Sequence, residues 1–147
     1  MKKGLVRVLQ VRQLLEELAS LDLQAKSARL RQLEGRAAEH RRLAAEARSE
    51  AIGRLLDEGA TDSWLDMADA EIFLWKSERM AAAAQKASED VAVSSERRMT
   101  RRMERQQAEF LIAETAHAEA QERSRREQQH VDDWFQSLPS SESRRSG

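Results

Sequence analysis

The chain has no cysteine, so disulfide staples, thiol nucleophiles and thiolate metal sites are excluded. One proline and five glycines in 147 residues are too few turn-formers for a fold of many short elements. Aromatic residues make up 4% of the chain, which leaves little to fill a globular core. Lys and Arg number 25 against 26 Asp and Glu, so bulk charge points to neither a nucleic acid nor a membrane. No stretch approaches the ~18 uncharged apolar residues of a membrane span. Lys2 and Lys3 resemble the basic start of a signal peptide. Arg7, Gln10, Arg12 and Gln13 cut the apolar run that should follow, so a cytoplasmic protein is expected. What is present is charge, at 35%, mixed with Ala and Leu, the composition of long helices and coiled coils.

One region carries turn chemistry. Gly59 suits the left-handed end of a helix. Thr61, Asp62 or Ser63 can cap the next one, with Ser63 and Asp66 spaced as a capping box. The expected fold is all-α: a long antiparallel two-helix coiled-coil hairpin with an overhanging C-terminal helix. It forms a single domain over 1–138, with a helix over about 3–57, a turn at about 58–62 and a helix over about 63–138. Pro139 ends it, and 139–147 is expected to be a disordered tail.

Apolar spacing of three and four predicts the seam between the helices. In the first helix one run is Val11, Leu14, Leu18, Leu21, Ala25 and Ala28. After a slip, a second is Leu30, Leu33, Ala37, His40, Ala44, Ala47 and Ala51. The second helix offers Leu65, Ala68, Ile72 and Trp75, then Met80, Ala84, Ala87 and Val91. A third run goes from Met103 through Phe110, Ala113 and His117 to Val131, Trp134 and Leu138. A bend centred near residue 60 pairs Phe73 and Trp75 with Ala44, Ala45 and Ala47, and pairs the run 81–84 with Ala37 and Ala38. In that register the first helix ends opposite residues 116–117, and roughly 20 residues of the second project beyond it, about 30 Å. Their stripe of Val131, Trp134, Phe135 and Leu138 calls for a partner.

Catalytic chemistry has little to work with. His40, His117 and His130 form neither HExxH nor a pair at helical spacing, so no metal site, cofactor or catalytic residue is expected. Phosphate-cradling glycine loops and nucleophile elbows are missing too, and no enzyme is expected. Arg97, Arg98, Arg101, Arg102 and Arg105 could meet phosphates, but Glu16, Glu17 and Asp22 of the facing helix can pair with them. The densest apolar cluster follows the turn: Trp64, Ile72, Phe73, Leu74 and Trp75. There Ile72 and Trp75 fit the seam while Phe73 and Leu74 point elsewhere. The cluster either wraps the end of the hairpin or docks a partner.

With one central turn followed by Trp64, and a second helix closing on Arg126-Glu127-Gln128-Gln129-His130-Val131-Asp132-Asp133-Trp134-Phe135, the chain resembles the FliJ/YscO family. These are central stalk proteins of bacterial flagellar and virulence type III secretion. The resemblance covers nearly the whole chain. It implies a non-enzymatic stalk at the cytoplasmic base of the apparatus, with a fold like the coiled coil of a rotary ATPase γ subunit. Implied partners are the hexameric export ATPase, the cytoplasmic domain of the export gate and export chaperones, with no nucleic acid and no membrane insertion. It implies ring contact through Arg123, Arg126, Val131, Trp134, Phe135 and Leu138. It implies gate contact through Trp64, Ile72, Phe73 and Trp75. Two other readings stand beside it: a coiled-coil adaptor that dimerises, as in a four-helix bundle, and an RNA- or ribosome-associated hairpin using Arg97 to Arg105.

Overall fold

A computed structural model describes residues 2–57 and 60–139. The chain is all-helical. α1 spans Lys2–Asp57, α2 spans Ala60–Ser137, and the two pack against each other. α2 begins earlier than the capping chemistry suggested. Ser63 therefore lies inside the helix and is buried, while Asp66 faces Arg54 of α1 at 3.3 Å. The role expected of Gly59 and the tail at 140–147 lie outside the described residues, and Thr61 and Asp62 fall within α2 rather than ahead of it. Among the described residues no helix is long and apolar enough to cross a membrane.

The chain divides into two compact units, one of Leu14–Arg102 and one joining the start of α1 through Gln13 to α2 from Met103 onward. In the first, one series of covered positions runs along α1 through Glu16, Ala19, Leu23, Lys26, Leu30, Leu33, Ala37, His40, Ala44, Ala47 and Ala51, with Leu15, Asp22 and Leu43 half-covered at its flanks. A matching series runs along α2 through Ser63, Asp66, Ala70, Phe73, Ser77, Met80, Ala84, Ala87, Val91 and Ser94, flanked by the half-covered Ala68 and Ala81. Each series alternates threes and fours without a slip, as a continuous coiled-coil seam requires. In the second unit, Leu5, Leu9 and Arg12 of α1 and Arg105, Ala108, Ile112, Thr115, Glu119 and Glu122 of α2 are covered at the same alternation.

The runs at 30–51 and 80–91 thus lie where expected, and three others do not. Leu14, Leu18 and Leu21 are at least half exposed, as are Leu65, Ile72 and Trp75, and Met103 and Phe110. An unbroken helix cannot turn its seam by 100° without an inserted stutter. The phase set by Leu30–Ala51 therefore carries back to Ala19 and Glu16, and the leucine stripe is left outside. The same phase turns Phe73 inward and Trp75 outward, the reverse of the expected arrangement.

The core is small-residue. Its buried apolar members in the Leu14–Arg102 unit are Ala19, Leu33, Ala37, Ala44, Ala51, Ala70 and Ala84, interleaved with Ser63, Ser77 and Ser94. Small side chains let helices approach closely. Two hydroxyls cross the seam: Ser77 Oγ donates to the Ala37 carbonyl at 3.3 Å, and Ser94 Oγ donates to Asp22 at 2.8 Å. On the expected pairing Ser77 would oppose residue 42 or 43 and Ser94 residue 25 or 26. The register differs because the bend lies between Asp57 and Ala60 rather than at residue 60.

Candidate functional site

The last turns of α2 carry the ring-contact residues expected from the sequence. From Arg123 to Ser137 every position is exposed, although the helix continues without a break. Local pairs support it. Glu122 accepts from Arg125 at 2.8 Å and from Arg126 at 3.3 Å, and Gln128 donates to Asp132 at 3.1 Å. The hydrogen-bonded Arg125 guanidinium, with Arg126 adding to it, holds the Glu122 carboxyl below its ordinary range, and the carboxylate in turn raises Arg125. Such pairs, three and four residues apart, join neighbouring turns of a solvated helix.

Beyond this charged collar the surface turns apolar. Val131, Trp134 and Leu138 follow at spacings of three and four, and Phe135 packs edge-on against Trp134 with ring centroids 5.1 Å apart. All four are exposed, Trp134 by 59% and Phe135 by 62%. Ser137 Oγ donates to the Trp134 carbonyl at 2.8 Å and Leu138 N to the Phe135 carbonyl at 3.3 Å, which satisfies part of the helix end before Pro139. The segment presents a two-ring apolar edge directly after Asp132 and Asp133, about two turns beyond the exposed Arg126. That arrangement can pack against an apolar groove.

The expected gate-contact residues divide. Trp64 is 71% exposed, and Ile72 and Trp75 are also outward. The Arg79 guanidinium lies over the Trp75 ring at 4.8 Å. Phe73 instead packs inside the seam, stacked on His40 at 6.4 Å. His40 thus serves as a packing partner, with its buried Nδ1 lacking a hydrogen-bond acceptor or donor. Among the described residues no group of three or more metal-ligating side chains is assembled. In the basic stretch, Arg105 pairs with Glu109 at 2.8 Å, and Arg97 acts on the Asp22 carboxylate.

Sequence reasoning missed the outward face of α1. Leu14, Leu18 and Leu21 were expected in the seam and form a surface stripe. Extending the Leu30–Ala51 phase backwards was the signal that would have found it. No protein-family model, no curated protein and no solved structure matches the chain.

Proposed function

We propose that the chain is the non-enzymatic central stalk of a type III secretion export apparatus, similar to the FliJ/YscO family. It works at the cytoplasmic base of the apparatus by inserting the overhanging end of α2 into a hexameric export ATPase. The observation that carries the reading is the run Arg123 to Ser137, helical and exposed throughout, ending in Val131, Trp134, Phe135 and Leu138. The register supports it as well. Arg12 of α1 donates to the Glu104 carbonyl of α2 at 2.7 Å. With equal rise the first residues of α1 then lie level with about residue 114. About 35 Å of α2 extends past them. A lone amphipathic helix of this length is marginal in water and gains stability from a lined channel. The outward Trp64, Ile72 and Trp75 are assigned to the gate's cytoplasmic domain or an export chaperone, whereas Phe73 acts by positioning the helix pair.

Binding to the hexameric export ATPase tests the reading. The chain contains three tryptophans, so Trp64→Phe with Trp75→Phe leaves Trp134 as the sole indole reporter. Adding the ATPase should blue-shift its emission and protect it from acrylamide. Truncation after Ala116 should abolish binding, and Trp134→Ala with Phe135→Ala should weaken it at least tenfold. Binding that survives the truncation removes the stalk assignment.

A further inference from the structure

We propose that the outward face of α1 at Leu14, Leu18, Leu21 and Ala25 docks a second copy of this chain, α1 against α1 in antiparallel register. Leu14 is 56% exposed, Leu18 54% and Leu21 61%. Spaced three and four apart, these residues make one stripe on a helix whose other face is already covered by α2.

The stripe complements itself. A register that places Leu18 opposite Leu21 of the second copy also places Leu14 opposite Ala25 of the second copy, because both helices rise equally. The two-fold operation then makes all four layers at once, leucine on leucine at the centre and leucine on alanine at the ends. Large residues meeting small ones is what interdigitated helices need. At the flank, Glu17 comes beside Gln24 of the second copy, whose amide can donate to the carboxylate. A parallel pairing would instead bring Glu17 beside Asp22 of the second copy and leave alanine facing alanine at position 25.

Area points the same way. The stripe from Leu14 to Ala25 is about 17 Å long. It forms an interface on the order of 1,000 Å² in total, the low end for specific association, so the dimer is reversible. The inference uses α1 alone and does not rest on the stalk reading of the end of α2.

Sedimentation equilibrium of the full chain across the micromolar range tests it. The average mass should climb with concentration from that of one chain toward that of two. Leu18→Glu, an outward substitution that should leave the circular dichroism unchanged, should weaken dimerisation at least tenfold. Phe110→Ser, elsewhere on the surface, should not. Because the chain has no cysteine, Glu17→Cys combined with Gln24→Cys should give a disulfide-linked dimer under mild oxidation, and neither single variant should. The proposal is overturned by a mass of one chain at every concentration, by a Leu18→Glu variant that dimerises normally, or by Glu17→Cys alone cross-linking as well as the pair. It is also overturned if Leu18→Glu abolishes binding of a different protein while the chain stays monomeric.

Discussion

At the residue scale, Asp22 joins the two helices chemically. Its carboxylate accepts from Ser94, which is only 1% exposed, and lies 3.0 Å from the Lys26 ammonium. The serine hydrogen bond first, and then Lys26, hold the carboxyl below its ordinary range. A carboxyl whose folded pKa is depressed contributes stability above its unfolded value, ~3.9, and loses that contribution as pH falls through the folded value. Thermal melts followed by circular dichroism should therefore show wild type losing more stability than Asp22→Asn when pH is lowered from about 5 to 2. Equal losses would mean that Ser94 and Lys26 do not favour the charged form. Glu39 is lowered in the same way by its hydrogen bond to Arg42, but on an exposed face of α1 where it joins nothing to α2.

At the scale of the element, each helix carries two stripes, and the less hydrophobic one is inside. In α1 the inward series Glu16, Ala19, Leu23 and Lys26 competes with Leu14, Leu18 and Leu21. Transfer energy per residue favours burying the leucines, at ~25 cal/mol per Å². Small side chains in the seam allow close approach instead, and Leu33, Ala37, Ala44 and Ala51 already set that geometry over several turns. The usual order of mutational cost is therefore inverted here. Ala84→Leu should overpack the seam and cost about 1–3 kcal/mol. Leu18→Ala, at a dilution where the chain is monomeric, should cost under about 0.5 kcal/mol. Chemical denaturation of the two variants checks this. A larger cost at Leu18 than at Ala84 would place the leucine stripe in the seam.

At the scale of the whole molecule, what is buried and what is exposed explain each other. Among the described residues the buried apolar ones are alanines and one leucine, while Trp64, Leu65, Ile72, Trp75, Met99, Met103, Phe110 and Trp134 are outside. Burial of alanines gives little hydrophobic stabilisation, and much of the available apolar surface stays exposed, so the proposed self-association can be read in the melting behaviour. Binding to the native form alone raises apparent stability by mass action. The melting temperature of the full chain should rise with protein concentration, and the Leu18→Glu variant should melt at one temperature regardless of it. Differential scanning calorimetry over a hundredfold concentration range makes that comparison.

Much of this was legible from the residues. Scarcity of Gly and Pro with dense charge implies long helices, and Asp57-Glu58-Gly59 marks the bend. The exposed end of α2 could also be read, because Pro139 and the stripe at 131–138 set its limits locally. Phe73 and Trp75 show where reading stops. They are two residues apart, both aromatic, and each fits a three-four run, so nothing local decides which one turns inward.

Composition and periodicity, which act through backbone entropy and the 3.6-residue repeat, determined that this chain forms two helices joined near residue 58. Only the tertiary structure decided which stripe of each helix became the seam, since that depends on how closely two helices can approach along their whole contact. Ala37 beneath Ser77 and Asp22 beside Ser94 made the choice. Leu14, Leu18 and Leu21 were left facing out because a continuous helix keeps one phase.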